Sequence, residues 1–288
     1  MYNANFDYHR PSTVAEAVQL LGTHPEAKVL AGGHSLLPAM KLRTATPLAL
    51  IDIGRIKELA GVRLAGQALE IGAMTTHATL AGSDVVKTHC PILAEAAAQI
   101  GDTQVRNRGT IGGSLAHADP AADLPTLMLA LEATLTATGP KGKREIAATD
   151  CFVGLFTTAL EPGELLTSIR VPVYSSGTGG AYLKHRHPAS SYAVVGVAAL
   201  VSVKGGKCEN VRLAIGGVAH HSIRCEAAEQ ALNGQPANEA AISAAAAKVA
   251  GAFHEPLHDV YASGEYRIHL AQVMAQRALL KAVERARG

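Results

Sequence analysis

The fold is decided by QVRNRGTIGGSLAHADPAADLP at residues 104–125, together with AGGHSLLPAMKLR at residues 31–43. Each stretch places two adjacent glycines, Gly32-Gly33 and Gly112-Gly113, beside small hydroxyl residues. Glycine permits positive φ and has no side chain, so successive backbone N–H groups can form a concave nest for an anion. Two nests on neighbouring units could hold the two phosphates of a dinucleotide from both sides.

Hydroxyl side chains next to the glycines, Ser35, Thr110 and Ser114, would add donors to such nests. Neither stretch has the G-x-G-x-x-G spacing of a Rossmann unit or the G-x-x-x-x-G-K-[ST] spacing of a P-loop. Paired glycines also occur in ordinary tight turns, and the residues alone leave both interpretations open. We call residues 31–36 the first glycine segment and residues 110–114 the second glycine segment.

The composition is typical of a globular protein. Of 288 residues, 48% are hydrophobic and 17% charged, and the formal net charge is only +2. Nucleic-acid binding needs a concentrated basic face, which this charge balance does not favour. Residues 1–18 have no apolar signal-peptide core, and the apolar run at residues 193–203 is shorter than the roughly 20 residues of a membrane span. We therefore expect a cytoplasmic protein without membrane insertion.

The cysteines and histidines do not predict a metal site. Cys90, Cys151, Cys208 and Cys225 lie far apart without a C-x-x-C pair, which is typical of buried reduced thiols. The pair His220-His221 would point to opposite faces of a strand. Electron transfer by this chain would therefore need a cofactor other than a metal cluster of its own.

Hydrophobic periodicity and turn residues divide the chain into three units. We place them at residues 1–53, 54–174 and 178–288, with residues 175–180 as a flexible connector. The elements predicted in the first two units are a helix capped by Thr13, strands at 28–30 and 48–53, helices at 36–43, 91–100 and 124–131, a hairpin at 62–71, a loop at 106–114 and a strand at 133–137.

The third unit has the order of a sheet followed by a helical layer. Strands are predicted at 181–186, 192–203 and 211–216, and helices at 226–232, 239–251 and 266–287. An antiparallel three-stranded sheet packed against the helices is the natural arrangement for that order. The sequence therefore predicts an α+β protein, with two small α+β subdomains followed by this C-terminal domain.

Three stretches resemble one known family. Residues 31–43 resemble the first FAD loop of the medium subunits of carbon monoxide dehydrogenase-type enzymes, and residues 104–125 resemble their second FAD loop. Residues 71–76, IGAMTT, match another recurrent stretch of that family, and the likeness covers nearly the whole chain. The resemblance implies that the first two units form a FAD-binding domain of the p-cresol methylhydroxylase type, related to that of xanthine dehydrogenase.

The resemblance also implies a function. Members of the family are FAD subunits that work beside a [2Fe–2S] small subunit and a molybdopterin large subunit, which suggests a dimer of heterotrimers. Substrate would be hydroxylated at molybdenum, and electrons would pass through the clusters to noncovalent FAD and then to an external acceptor. The substrate stays open, because residues 184–192 lack the lysine-rich stretch with an acidic residue found in several carbon monoxide dehydrogenase medium subunits.

Matching positions carry residue roles over from the family. The residues expected around FAD are Ala31, Gly32, Gly33, His34, Ser35, Leu36, Thr110, Ile111, Gly112, Gly113, Ser114, Asp119, Asp123, Leu166, Lys184 and Tyr192. Asp123 would accept a hydrogen bond from the adenosine portion, or serve only as a helix N-terminal carboxylate. Lys184 would stabilise the anionic reduced flavin, or be a solvated strand lysine. Tyr192 would pack near the ring, or belong to the core.

Two other functions remain open at this stage. The first is a stand-alone FAD-dependent oxidoreductase with its own substrate, although no positioned catalytic base stands out. The second is a scaffold subunit that has kept the fold and lost FAD. Intact glycines in both segments disfavour the scaffold.

Overall fold

In the computed structural model, which describes residues 2–288, the chain begins with a helix packed on a parallel sheet. The three strands lie in the order β1-β3-β2. The elements are β1 (Asp7–His9), α1 (Val14–Thr23), β2 (Ala27–Leu30), α2 (Leu36–Lys41) and β3 (Ala49–Asp52). The predicted cap of α1 is confirmed, since the Thr13 side chain accepts a hydrogen bond from the Glu16 N–H. Ala17 then packs α1 onto Ile51 of the central strand.

The next region contains an antiparallel five-stranded sheet in the order β4-β5-β10-β6-β7 and a separate hairpin, β8-β9. Its elements are β4 (Val62–Ala65), β5 (Ala68–Gly72), α3 (His77–Gly82), α4 (Asp84–His89), α5 (Pro91–Ala98), α6 (Thr103–Arg108), α7 (Ile111–His117), α8 (Asp123–Ala130), β6 (Thr134–Gly139), β7 (Gly142–Ala147), α9 (Ala148–Cys151), β8 (Phe152–Gly154), β9 (Thr157–Thr158) and β10 (Leu165–Pro172).

The predicted loop at residues 106–114 is wrong. Those residues are the end of α6 and the start of α7, and only Gly109 and Thr110 separate the two helices. Glycine lowers helix propensity, so the paired glycines alone do not favour a helix here. The capping side chains of Asp102 and Thr110 outweigh that cost, because each accepts a hydrogen bond from an N–H in the first turn of its helix.

Two strands of the second sheet are absent from the sequence prediction. Strand β7 lies at the edge of the sheet and carries charged residues on its exposed face, a common protection for a sheet edge. Strand β10 lies in the centre, but its Thr167, Ser168 and Arg170 interrupt the apolar pattern. Pairing with neighbours, rather than local composition, makes both segments strands.

The last region is an antiparallel sheet covered by helices, in the order β11-β12-β13-β14. Its elements are β11 (Thr178–Arg186), β12 (Ala193–Lys204), β13 (Lys207–Gly216), β14 (Ile223–Arg224), α10 (Glu226–Leu232), α11 (Glu239–Ala246) and α12 (Gly264–Arg287). The α+β class and the antiparallel sheet with its helical layer are confirmed. A short fourth strand, β14, joins the three predicted ones, and β11 begins inside the predicted connector. The bounds of the three units stay a prediction.

Strand β12 explains the long apolar run in the sequence. Val195, Val197 and Val201 pack into the core formed with the C-terminal helices. Ala198 and Leu200, on the other face, pack into the core that contains α5 and α8. A strand buried on both faces has no polar alternation, so its sequence is continuously apolar.

The cysteines are free and buried. Within the described part of the chain, no group of three histidine, cysteine or acidic residues could hold a metal ion. No helix between residues 2 and 288 is both long and apolar enough to cross a membrane.

Candidate functional site

The first glycine segment forms the loop between β2 and α2. Gly33 has a φ of +77°, which turns the chain in a way that glycine adopts without strain. Within residues 2–288, the backbone N–H groups from Gly32 to Leu36 donate to no acceptor. The imidazole of His34 folds back on the loop, with Nδ1 3.0 Å from the Gly32 carbonyl oxygen. A row of unused N–H groups at a turn with positive φ has the form expected of an anion-binding nest, and its contact with the FAD phosphates stays a prediction.

The second glycine segment has a different structure, and the predicted nest there is wrong. Gly112 and Gly113 lie in the first turn of α7, and neither has positive φ. The four N–H groups at the start of α7 already donate within the protein, from Ile111 to Thr75, from Gly112 to Ala73, and from Gly113 and Ser114 to Thr110. Gly112 packs closely against the segment that contains Ala73, because a Cβ on Gly112 would lie 2.5 Å from the Ala73 Cβ.

The tertiary structure brings the two glycine segments into contact. A Cβ on Gly32 would lie 2.1 Å from the Arg108 carbonyl oxygen and 2.9 Å from the Gly109 Cα. A Cβ on Gly113 would lie 3.6 Å from the Ala31 Cβ. The start of α7 therefore supports the nest from one side, with the Ser114 hydroxyl as a remaining side-chain donor.

His77 is a residue of this region that sequence reasoning missed. It begins α3, its side chain is buried, and its ring lies against Gly109. Its Nδ1 is buried with no hydrogen-bond partner in the described residues. Burial, and then the charges of Arg106 and His34, lower the pKa of His77 to about 4. The imidazole is therefore neutral at pH 7. The family stretch at residues 71–76 ends one residue before it.

Tyr192 comes directly before β12 of the third sheet. Its side chain is 40% exposed, so it is not a core tyrosine. Partial burial, and then the Asp119 carboxylate, raise the pKa of Tyr192, while a hydrogen bond with Ser35 opposes the rise.

The loop that carries Asp119 is tied to the same sheet through backbone hydrogen bonds. Asp119 Oδ1 accepts from the Ala121 N–H at 2.9 Å. The Ala193 N–H donates to the Ala121 carbonyl at 3.2 Å, and the Gly217 N–H donates to the Pro120 carbonyl at 2.8 Å. These bonds hold residues 119–121 at the ends of β12 and β13.

Asp123 and Lys184 form a buried ion pair with each other. Lys184 Nζ lies 2.9 Å from Asp123 Oδ1 and 3.0 Å from Oδ2, and it donates to the Gln99 carbonyl at 3.0 Å. The Tyr182 hydroxyl donates to Asp123 Oδ1 at 2.6 Å. Burial raises the pKa of Asp123, and the Lys184 ammonium and the Tyr182 hydroxyl oppose the rise.

This pair alters the expected roles of both residues. The Lys184 side chain is 1% exposed and that of Asp123 6%, so Lys184 is not a solvated strand lysine. Both oxygens of Asp123 already accept hydrogen bonds. Any effect of the two side chains on a ligand would therefore act mainly through their charge, and their roles at FAD stay a prediction.

Leu166 lies in the core rather than on the surface. It is 3% exposed, pairs with Ala137 across β10 and β6, and belongs to the core cluster that also holds Ile111 and Leu115 of α7. Its contact with a flavin stays a prediction. Two cavities of about 580 and 640 Å³ lie elsewhere, one beside the β8-β9 hairpin and one beside α1.

The chain matches known proteins along nearly its whole length. Residues 4–174 match the family described as "FAD binding domain in molybdopterin dehydrogenase", and residues 180–282 match "CO dehydrogenase flavoprotein C-terminal domain". The carbon monoxide dehydrogenase medium chain of Hydrogenophaga pseudoflava is 44% identical over 97% of both chains. The 6-hydroxypseudooxynicotine dehydrogenase complex subunit alpha of Paenarthrobacter nicotinovorans is 41% identical over 98% of this chain and 96% of its own.

A solved structure shows the same fold. The carbon monoxide dehydrogenase from Hydrogenophaga pseudoflava that lacks the Mo-pyranopterin moiety superposes with a TM-score of 0.96 at 45% sequence identity, over 99% of both chains. The matched family models, the sequence identities and the shared fold all indicate the same family. The chain belongs to the family of FAD-binding subunits of molybdopterin dehydrogenases.

Proposed function

We propose that this chain is the FAD-binding electron-transfer subunit of a heterotrimeric molybdenum hydroxylase. The row of free N–H groups in the first glycine segment, held against the second glycine segment, carries the proposal. Family membership supports FAD as the cofactor. The chain would take electrons from the [2Fe–2S] clusters of a small subunit and pass them to an external acceptor, while a large subunit holds molybdopterin.

The donors of the site fit a flavin dinucleotide. A diphosphate requires several N–H or O–H donors, which the backbone from Gly32 to Leu36 and the hydroxyls of Ser35 and Ser114 supply. The unpartnered Nδ1 of buried His77 lies in the same region. All of these groups would hold FAD noncovalently. When bound, FAD supplies the capacity to accept and release electrons.

The remaining side chains have roles that follow from their positions. Tyr192, which comes directly before β12 and is 40% exposed, would cover the bound group and restrict water. The buried Lys184 would place positive charge where the flavin gains negative charge on reduction, with Asp123 fixing the position of its ammonium. We expect Leu166 to contribute apolar support from the core behind α7.

The names of similar proteins support the proposed partners. The Hydrogenophaga pseudoflava protein is called a medium chain, and the Paenarthrobacter nicotinovorans protein is called a subunit of a complex. We infer that this chain also works beside a [2Fe–2S] small subunit and a molybdopterin large subunit, as a dimer of heterotrimers. These two relatives are 44% and 41% identical to this chain and their names differ in substrate, so similarity does not select a substrate.

The proposal is tested by purifying the chain alone and with its coexpressed genomic neighbours, recording visible spectra, and adding FAD. We expect a two-band flavin spectrum and the release of free FAD on denaturation. Copurification of iron–sulfur and molybdopterin chains would establish the subunit role over a stand-alone oxidoreductase. If flavin binds in neither preparation, the FAD assignment fails and the flavin-free scaffold becomes the better explanation.

A further inference from the structure

The Asp123–Lys184 pair connects two parts of the fold. Asp123 is the first residue of α8, whereas Lys184 lies on the edge strand β11. An ammonium group has three N–H donors, and here the Gln99 carbonyl and the Asp123 carboxylate occupy at least two of them. The positive charge available to a neighbouring ligand therefore depends on how strongly the carboxylate holds the ammonium.

Tyr182 competes for the same carboxylate. It lies two residues before Lys184 on β11, so both side chains point to one face of the sheet. Its hydroxyl donates to Asp123 Oδ1 at 2.6 Å, and its side chain is 1% exposed. A hydrogen bond to a buried carboxylate draws negative charge toward the donor and is stronger than a bond between neutral groups.

Gly196 makes room for the Tyr182 hydroxyl. Gly196 is the register partner of Lys184 on β12, and a Cβ at this position would lie 2.6 Å from the Tyr182 hydroxyl oxygen. Glycine in the middle of a strand lowers its stability, and its presence there often marks a position that another group approaches closely. The absent side chain and the 2.6 Å hydrogen bond are thus parts of one arrangement.

Hydrogen bonds connect the arrangement to the proposed flavin site. Lys184 donates to the Gln99 carbonyl, and Arg106, on the helix before the second glycine segment, donates to the next two carbonyls, those of Ile100 and Gly101. In the low-dielectric interior, a change in the charge balance of the buried pair would be felt at such a neighbouring site.

We propose that Tyr182 is a positioning residue for the flavin site, whose hydroxyl holds charge on Asp123 so that the Lys184 ammonium can stabilise the anionic reduced flavin. This inference rests on the proposed function. It assigns a role to Tyr182 and Gly196, neither of which would touch FAD. Without the hydroxyl, the hydrogen bond that remains on the Asp123 carboxylate is that of Lys184, and less positive charge acts on the ligand.

The test is the Tyr182→Phe variant in the complex that binds FAD. We expect FAD to remain bound, and the preference for reduced over oxidised FAD to fall by about tenfold, equivalent to a reduction potential lower by about 30 mV for a two-electron couple. Spectroscopic redox titration with a reference dye measures the shift. Gly196→Ala, which displaces the hydroxyl while keeping the tyrosine, should shift the potential in the same direction.

Tyr174→Phe is the matched control. The Tyr174 hydroxyl is buried without a hydrogen-bond partner in the described residues, so its removal should leave the potential unchanged. An unchanged potential in Tyr182→Phe, or an equal shift in Tyr174→Phe, overturns the role of Tyr182 while leaving FAD binding intact. If the wild-type complex binds no FAD, the proposed function itself fails, and this inference fails with it.

Discussion

Gly32 and Arg108 are separated by 76 positions in the sequence but are so close that a Cβ on Gly32 would lie 2.1 Å from the Arg108 carbonyl oxygen. Such contacts between a glycine and a backbone carbonyl cannot be relieved by rotating a side chain. The contact sets where the nest of the first glycine segment lies relative to α7. It therefore links the stability of the fold to the ability to hold a dinucleotide.

Gly32→Ala should destabilise the protein and weaken FAD binding together. The added methyl group must push two backbone segments apart, at a cost of roughly 1–3 kcal/mol. The check is thermal unfolding combined with a fluorescence titration of FAD. Gly22→Ala is the control, because nothing lies within 4 Å of a Cβ there and Gly22 is in helix α1. Equal stability of the two variants would contradict the proposed contact.

Gly33→Ala should separate nest geometry from stability. Gly33 and Gly66 have φ values of +77° and +61°, so alanine at either position costs about 1–2 kcal/mol of backbone strain. At Gly33 the added Cβ would also lie 2.9 Å from a side-chain carbon of Leu37, which can move aside. Only Gly33 belongs to the nest. We expect FAD to bind about tenfold more weakly to Gly33→Ala, and normally to Gly66→Ala. If both variants lose FAD affinity equally, the loss reflects stability and the nest is not the binding element.

Breaking the buried pair should be costly. Lys184→Met leaves the Asp123 carboxylate buried without its cation, and removing one partner of such a pair typically costs about 3–5 kcal/mol. The exposed pair Arg63–Glu70 supplies the control, since Arg63→Met should change the free energy of unfolding by less than about 1 kcal/mol. Chemical denaturation measures both. Similar losses of unfolding free energy in the two variants would show that the buried pair stabilises the fold no more than the exposed pair does.

His77 should make stability depend on pH in the acid range. Its pKa falls from 6.5 to about 4 on folding, so the unfolded chain binds the proton more tightly. Above pH 6.5 the neutral His77 ring leaves the free energy of unfolding at its full value. As the pH falls from 6.5 toward 4, the unfolded chain takes up the proton first, and the free energy of unfolding decreases by on the order of 3 kcal/mol.

The measurement is the unfolding free energy at pH 7.5 and pH 5 for wild type and His77→Gln. The variant should lose less stability on acidification, because glutamine takes up no proton. His220→Gln, which changes an exposed histidine, should behave like wild type. An identical acid response in His77→Gln and wild type would refute the role of His77.

Much of the secondary structure was predictable because it depends on local rules. The cap at Thr13, the proline that begins α5 and the continuous apolar run of β12 each have a direct signature in the sequence. Strands β7 and β10 lack such a signature, since their structure depends on pairing with distant partners. The family resemblance named the expected site residues, and the structure shows what several of them contact within the chain.

The sequence by itself determined the α+β class and the two glycine segments, since these follow from periodicity and motif order, and the resemblance of its motifs indicated the family. Only the tertiary structure decided which N–H groups stay free. Those of the first glycine segment have no partner within residues 2–288. Those at the start of α7 donate to three acceptor residues, Ala73, Thr75 and Thr110. It also joined Asp123 to Lys184, across 61 positions. Hydrogen bonding and charge pairing depend on distances between remote residues, which folding alone creates.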